Sequence, residues 1–411
     1  MKRIVSVLLA ALMLLTFSSC RSADKTVEST ADDTSAQAVN GETTTQPPQE
    51  NIIKIGVFQP QSGDDRLSGK QEILGIMYAN QSTPTVKIGE KEVKVKLIYG
   101  DNESSPEKAK AIAKVLVDEG VSAVIGSYGS DVSTKAAEVF SAAGVPVVAA
   151  SCTGEAVTEK GDTYYRIGYT DPSQAKALAS YTAKRLGIKK VYILATLGNS
   201  ASQGLSLYFR EAFEALGGTV LTENFLPGTT DFSDSLKKAE KNECEAVFAP
   251  VSLVYAEKIL EQSAQLDSVL TFIGDSGWDS NVVLKAAEKA GATVYISSYY
   301  QPGADEKFES GIKTWFASNT ALMNNNNNGD DTVSAACAAG FDAYQAVVRA
   351  IAKAKSAERQ DIAKALKSVS FTGACSELKF SGSRNAVRTF AYIKTANEPD
   401  YGWTTVAEQK F

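Results

Sequence analysis

Short apolar runs alternate with segments of helical periodicity along most of this chain. Residues 52–58 form an apolar run typical of a strand, and apolar residues over 67–80 recur at the spacing of a helix. The same pair follows at 93–99 and 106–119, where Ser105 is the expected helix cap. Six more short apolar runs are typical of buried parallel strands: 123–126, 146–149, 191–195, 247–249, 272–274 and 294–297. The alternation predicts an α/β protein with doubly wound, mostly parallel sheets.

The first 51 residues differ from the rest of the chain. Lys2 and Arg3 precede an apolar run over 4–17, which is typical of a signal peptide and short for a membrane span. Cys20 follows small residues, as in a bacterial lipobox, so we expect removal of residues 1–19 and lipid modification of Cys20. An ordinary signal peptide with an incidental cysteine is the alternative. Residues 20–51 lack large apolar side chains and are predicted to be a disordered tether to the membrane.

The composition excludes several classes of protein. Of 411 residues, 42 are Lys or Arg and 48 are Asp or Glu, and the resulting net charge of −6 argues against a nucleic-acid partner. The sequence contains no histidine, which rules out a Ser-His-Asp triad and a histidine-ligated metal. With 44% hydrophobic residues the chain has enough core formers to fold, and its length suggests two domains.

Cysteines and acidic loops give no sign of a metal or cofactor site. Four cysteines lie beyond the tether in no metal or redox pattern: Cys152, Cys244, Cys337 and Cys375. In an exported protein Cys337 with Cys375 is the most plausible bridge, although we expect no disulfide. The segment 324–331 has part of a calcium-loop pattern, but Ala335 occupies the position of the bidentate Glu.

A set of short motifs extends from residue 52 to about residue 394. In chain order they are Ile55-Gly56-Val57-Phe58 with Ser62-Gly63, Ile98-Tyr99-Gly100-Asp101 with Ser105-Pro106, residues 120–126, Tyr165-Arg166, Asp171-Pro172 with Gln174, Gly277-Trp278-Asp279-Ser280, Phe341-Asp342-Ala343 and Phe371-Thr372-Gly373. Their order and spacing resemble the leucine/isoleucine/valine-binding type of periplasmic solute-binding protein, the extracytoplasmic receptor of a branched-chain amino acid ABC importer.

The resemblance implies a type I periplasmic-binding-protein fold, in which two lobes enclose a ligand. Each lobe is expected to be a mostly parallel sheet flanked by helices. Three hinge crossings are expected to join the lobes: near 169–172, 299–303 and 382–387. The implied first lobe contains residues 52–170 and 300–383. The implied second lobe contains residues 171–299 and 384–411. Lobes joined by short hinges suit rigid-body closure over a ligand.

The loop after the strand at 123–126 is the first expected contact with the ligand. Ser127, Tyr128 and Ser130 precede a helix predicted over 131–143. A helix start offers unpaired N–H groups and the positive end of its dipole, so it can hold a carboxylate without a cation. The resemblance implies that the Ser130 hydroxyl binds the carboxylate of the ligand. The alternative is that Ser130 only caps the helix.

The loop after the next strand is the second expected contact. The resemblance implies that the Ser151 backbone and the Thr153 hydroxyl bind the α-carboxylate and amine of the ligand, and an ordinary polar loop is the alternative. Cys152 lies between them and is predicted to be a small buried side chain, because no histidine or evident base accompanies it.

The ammonium group of an amino acid needs an acid from the second lobe. Where the family has its acid this sequence has Ser276, with Asp275 before it and Asp279 three residues later. We expect Asp275, or failing that Asp279, to bind the ammonium group; the alternative is that both cap a loop or helix. The segment 201–204 also lacks an aromatic residue that the family often has. Three aromatic residues are candidates to replace it: Tyr128, Trp278 and Tyr300.

The implied function is that of a lipid-anchored, non-catalytic receptor outside the cytoplasmic membrane. It would capture an amino acid or similar small zwitterion and deliver it to an ABC permease. A ligand sensor for a membrane signalling partner is one alternative, and a receptor for an amide or short peptide is another. An enzyme that uses Asp275 and Asp279 as paired acids is the least favoured interpretation, because the sequence has no cofactor motif.

Overall fold

Strands and helices alternate throughout the computed structural model, which describes residues 52–159, 163–267 and 269–411. The predicted signal peptide, Cys20 and the predicted tether lie outside the described residues. The described residues form two large sheets flanked by helices and one two-stranded hairpin. This arrangement confirms the predicted α/β architecture with two sheets.

The first sheet contains six strands and, with its helices, is called the first lobe below. Its strands are β1 (Ile52–Gln59), β2 (Thr85–Ile88), β3 (Lys91–Asp101), β4 (Ala123–Gly126), β5 (Val147–Ala149) and β6 (Tyr164–Arg166). Their order is β2-β3-β1-β4-β5-β6, parallel except for the pair β2 and β3. Successive residues point to opposite faces, so Ile125 and Val124 belong to core clusters on different sides of the sheet.

The second sheet contains seven strands and, with its helices, is called the second lobe. Its first strands are β7 (Lys190–Thr196), β8 (Thr219–Phe225), β9 (Ala246–Phe248), β10 (Thr271–Gly274) and β11 (Val294–Ser298). A hairpin of the first lobe follows, β12 (Ser370–Gly373) and β13 (Ser376–Lys379), and then β14 (Phe390–Ala396) and β15 (Thr404–Lys410) complete the second sheet. The order is β15-β14-β11-β10-β9-β7-β8, in which β14 and β15 are antiparallel to their neighbours.

Helices cover both sheets. Those before the second sheet are α1 (Arg66–Ser82), α2 (Pro106–Asp118), α3 (Ser130–Ala142) and α4 (Ala156–Glu159). The helices of the second lobe are α5 (Asp171–Lys184), α6 (Ser200–Glu214), α7 (Ser233–Lys241), α8 (Leu253–Ser263) and α9 (Asn281–Ala290). The remaining helices are α10 (Glu306–Ser318), α11 (Thr320–Asn326), α12 (Ala335–Ala354) and α13 (Arg359–Leu366).

Three connections carry the chain between the lobes: 167–170, 299–305 and 380–389. The third connection runs beside the start of the first. Arg166 donates its backbone N–H to Arg384 O at 3.0 Å, and its own carbonyl accepts the N–H of Ala386 at 2.8 Å. Backbone hydrogen bonds therefore hold the third connection against the end of β6, directly before the first connection begins, which is an arrangement suited to a narrow hinge.

Helices α1 and α12 pack with their backbones in contact. A Cβ atom on Gly75 would overlap the carbonyl oxygen of Cys337, and one on Gly340 would overlap the carbonyl oxygen of Glu72. Glycine at these two positions allows the close approach. Ser334 caps α12 by accepting the N–H of Cys337 at 3.1 Å. This packing fixes α1 against α12, whose residue Ala336 lines the cavity described below.

The described part of the chain can be checked for membrane-spanning helices and for disulfide bonds. Among its residues, no helix is long and apolar enough to cross a membrane. The four cysteines in it are free and buried, and Cys337 and Cys375 are therefore not joined.

Candidate functional site

A cavity of about 450 Å³ lies between the two lobes. The loops after β1, β4 and β5 line it from the first lobe, and the loops after β7, β9 and β10 line it from the second. These are the carboxyl ends of parallel strands, where α/β proteins bind their ligands. Pockets for small molecules typically have volumes of about 300 to 1,000 Å³, so the cavity suits a ligand of this class.

The start of α3 faces the cavity. Gly129 precedes the helix with a φ angle of 98°, which favours glycine, and Ser130 is the first helical residue. The Ser130 hydroxyl accepts the N–H of Gly154 at 3.0 Å and does not cap the helix. The alternative that Ser130 is only the helix cap is therefore wrong. The first N–H groups of α3 have no acceptor within the helix and lie at the cavity wall.

A buried arginine fixes the loop at 151–154. Arg166 is fully buried, and its guanidinium donates to Thr153 O at 2.6 Å and to Gly154 O at 2.7 Å. The Ser151 hydroxyl accepts a hydrogen bond from Tyr299 at 3.1 Å. Ser151 and Thr153 both line the cavity, so the loop presents its polar groups in a fixed conformation.

Asp171 supports the same loop from the beginning of α5. Its N–H donates to Thr153 O at 3.1 Å, and its carboxyl group lies close to the Thr153 side chain. Burial raises the pKa of Asp171 to about 6, and the neighbouring Thr153 hydroxyl and the Arg166 charge partly oppose that rise. Asp171 thus holds the backbone of this loop from the start of α5.

Asp275 reaches the cavity from the end of β10 in the second lobe. Its Oδ1 accepts the N–H of Gly277 at 2.8 Å. Burial raises the pKa of Asp275 to about 7, because the carboxylate loses water and gains no positive neighbour that would offset this loss. A buried carboxylate without a positive neighbour forms a stronger interaction with a cationic ligand group than an exposed carboxylate does.

Aromatic side chains from both lobes complete the wall. Tyr128, Tyr255 and Tyr299 line the cavity, of which only Tyr128 was expected from the sequence. Tyr300 is buried elsewhere and donates its hydroxyl to Glu309. The expectation that Tyr300 supplies part of the wall is therefore wrong.

Hydrogen bonds join the lobes around the cavity. Asp131 of α3 accepts the N–H of Ser200 at 2.9 Å, at the start of α6 in the second lobe, and also its hydroxyl. In the loop after β1, Asp65 accepts the hydroxyl of Ser252 at 2.5 Å. Farther out, Tyr208 donates to Glu155 at 2.7 Å. The structure is therefore in a closed state in which acids of the first lobe meet hydroxyl and N–H donors of the second.

Comparisons of sequence and structure with known proteins identify the family of this chain. The sequence profile of a family described as periplasmic binding protein matches residues 52–398. The chain belongs to this family. An amino acid binding protein from Pseudomonas aeruginosa is 27% identical over 259 residues, which cover 62% of this chain and 68% of that protein. A leucine binding protein from Thermotoga maritima has a TM-score of 0.78 and 26% identity, covering 87% of this chain and 99% of that one.

A more distant neighbour has the same fold. A solute binding protein of an ABC transporter from R. palustris, in complex with benzoate, has a TM-score of 0.76 at 18% identity, covering 87% of this chain and 96% of that one. The comparisons confirm a periplasmic binding protein of the leucine/isoleucine/valine-binding type. The family and the fold are those of periplasmic solute-binding proteins, which implies a location outside the cytoplasmic membrane.

Two residues predicted to bind the ligand do not line the cavity of this periplasmic binding protein. Ser127 is buried, and its hydroxyl accepts from Asn102 at 2.8 Å. Trp278 is buried in the second lobe, where its indole N–H donates to Val251 O at 3.1 Å. Both side chains support loops that reach the cavity, and the expectation of direct contact is corrected.

Asp279 is also engaged elsewhere. Its carboxylate lies 2.7 Å from Lys394 Nζ, and the two side chains are 0% and 1% exposed. Ser298 donates to the same carboxylate at 2.5 Å. Because a buried counter-ion already neutralises Asp279, it is not available for the ammonium group of a ligand. Asp275 remains as the one of the two candidates that lines the cavity.

Sequence reasoning missed several acids at the cavity. Asp64 and Asp65 directly follow the Ser62-Gly63 motif, so their position after a strand was an available signal. Asp131 gave no such signal, because its partner Ser200 lies in the other lobe. Within the residues that the structure describes, no group of acids and cysteines is arranged to hold a metal ion.

Proposed function

We propose that this periplasmic binding protein captures an amino acid between its lobes, with the carboxylate toward the first lobe and the ammonium group toward the second. The observation that carries the proposal is the pairing across one cavity of Ser130 and Thr153 with Asp275. The printed names of the relatives from P. aeruginosa and T. maritima support the same ligand class.

The carboxylate is bound by neutral donors. The N–H groups at the start of α3, the Ser130 hydroxyl, the Ser151 backbone and the Thr153 hydroxyl line one side of the cavity. Donors at a helix start stabilise an anion through hydrogen bonds and the helix dipole. Each hydrogen bond to a charged group contributes about 1.5 to 3 kcal/mol.

The ammonium group is bound by Asp275. Among the described residues that line the cavity there is no lysine or arginine, so Asp275 has no protein cation to neutralise it. An aromatic acid, as bound by the R. palustris neighbour, is the competing ligand class. Such an acid has no ammonium group and would leave Asp275 unpaired, which argues against that class here.

Delivery to an ABC importer is the proposed next step. Closure of the two lobes, 52–170 with 300–383 and 171–299 with 384–411, would give the permease a surface that the open receptor lacks. We retain the prediction that a lipid on Cys20 holds the protein at the membrane. Import of a radiolabelled amino acid that fails after deletion of this gene supports delivery, and unchanged import favours a sensor.

A binding screen tests the proposal. The purified protein is mixed with each common amino acid and with benzoate, and its melting temperature is recorded. A ligand at a hundred times its Kd stabilises the folded protein by about 2.7 kcal/mol, which is readily measured as a rise in melting temperature. The proposal predicts one-to-one binding of an amino acid in a subsequent calorimetric titration, and binding of benzoate alone would contradict it.

A further inference from the structure

The cavity contains more negative charge than one ammonium group requires. Five carboxylates line it: Asp64, Asp65, Glu107, Asp131 and Asp275. None of the five forms an ion pair with a lysine or arginine of the described chain. Arg166 is nearby, but it is fully buried and its guanidinium donates to backbone carbonyls behind the loop at 151–154.

The carboxylates from the loop after β1 are paired only with neutral groups. Asp65 accepts from the Ser252 hydroxyl through one oxygen, and Asp64 accepts from the Tyr255 hydroxyl. These hydroxyls satisfy hydrogen bonds but leave both negative charges in place. The Asp65 carboxylate therefore resembles that of Asp275 in facing the cavity without a counter-charge.

The other carboxylate oxygen of Asp65, Oδ2, lies beside Gly129, where the absence of a side chain leaves room for it. A Cβ atom on Gly129 would lie 3.3 Å from Asp65 Oδ2, so a side chain there would stand against this oxygen. Asp65 belongs to the first lobe and Asp275 to the second. A ligand between the lobes thus meets one carboxylate from each side, and Asp275 alone is needed for an α-ammonium group.

We infer that the ligand is an amino acid whose side chain carries a second positive charge, and that Asp65 is the residue that selects this charge. The inference rests on the proposed function, since it assumes that Asp275 binds the α-ammonium group. A neutral side chain would leave the Asp65 carboxylate enclosed without a counter-charge, which is unfavourable in a closed cleft. Exposed Glu107 also lines the cavity and would attract a cationic ligand toward it.

Matched pairs of amino acids test the inference. Lysine is compared with norleucine and arginine with citrulline by calorimetric titration of the whole protein, because each pair has similar shape and differs in charge. We expect the charged member of at least one pair to bind tenfold or more tightly than its neutral partner, as about 1.4 kcal/mol of added charge pairing would give.

Two variants assign the effect to Asp65. Asp65→Asn keeps an oxygen that accepts from Ser252 and removes the charge, so it should reduce the preference to less than about threefold. Asp118→Asn, the same change on an exposed residue of the first lobe, should leave the preference intact. Persistence of the preference in Asp65→Asn would overturn the role of Asp65.

The outcomes separate this inference from the proposed function. If norleucine or another neutral amino acid binds as tightly as lysine and arginine, the inference is wrong and the proposed function stands. If benzoate binds and no amino acid does, the proposed function fails and the inference fails with it.

Discussion

At the residue scale, the proton on Asp275 couples ligand binding to pH. The pKa of Asp275 in the ligand-free cleft is raised to about 7 by burial, with smaller contributions from the charges of Asp171 and Asp65. An ammonium ligand favours the ionised carboxylate and lowers this pKa, so binding releases a proton below about pH 7. The affinity for an amino acid should therefore be constant above neutral pH and fall as the pH is lowered.

Calorimetric titration between about pH 5.5 and 8.5 measures this dependence, with a limit of about tenfold per pH unit for one group. Asp275→Asn should weaken binding at neutral pH, and it should remove the change in affinity with pH near pH 7 that the Asp275 carboxylate causes. Asp171 and Asp65, whose pKa values are each raised to about 6, would still contribute at lower pH. An affinity that rises on acidification would contradict the pairing of Asp275 with an ammonium group.

The same residue has the opposite effect on the stability of the free protein. The folded-state pKa of Asp275 lies above its ordinary value of 3.8, so the folded protein holds this proton more tightly than the unfolded chain. Its contribution to the free energy of unfolding is therefore lost as pH rises from about 4 to 7. Above pH 7, Asp275→Asn should raise the melting temperature of the ligand-free protein while it impairs binding. A lowered melting temperature would show that the carboxylate is stabilised by contacts other than those described.

Thr153 provides a separate test of carboxylate capture. Thr153→Ala removes a hydroxyl that lines the cavity and should weaken binding about tenfold or more, whereas Thr153→Ser retains the hydroxyl and should bind nearly as the parent does. Calorimetric Kd values of the two variants give the comparison. Equal loss in both variants would point to a packing role of the methyl group.

At the element scale, the backbone pattern was predictable and the contacts between distant loops were not. The predicted helix 131–143 corresponds to Ser130–Ala142, because apolar periodicity and strand ends are local properties of the sequence. Asp279 was a reasonable candidate by its distance from β10, yet Lys394, which is 115 positions away, neutralises it. The hydrogen bond of Asp65 is likewise with a distant residue, Ser252 in the other lobe.

The packing of α1 against α12 makes a prediction at this scale. Gly75→Ala would drive a methyl group into the Cys337 carbonyl and separate the helices, so it should lower the free energy of unfolding by about 1 to 3 kcal/mol. Gly204→Ala in α6 is the matched control, because its nearest neighbour would be at 3.9 Å, an ordinary contact. It should be neutral or stabilise the protein by up to about 1 kcal/mol. Denaturant unfolding of both variants decides whether the two backbones touch.

At the scale of the whole molecule, ligand binding and interlobe hydrogen bonds favour the same closed state. Asp131→Ala removes the acceptor of the Ser200 N–H and hydroxyl without changing a proposed contact with the α-carboxylate or ammonium group. The closed state should then reopen sooner, so the ligand should dissociate several-fold faster with little change in association rate. Stopped-flow displacement measures both rates, and an unchanged dissociation rate would show that this contact does not hold the lobes together.

In the proposed function, one cavity binds the carboxylate of an amino acid at the first lobe and its ammonium group at Asp275 in the second. The most direct measurement compares the amino acid that binds best with its analogue lacking the amino group and its analogue lacking the carboxyl group, in calorimetric titrations with the same protein. Each analogue should bind about a hundredfold more weakly or worse, because a charged group of the cavity or of the ligand is left unpaired. If the analogue without the amino group binds as tightly as the amino acid, Asp275 does not bind an ammonium group.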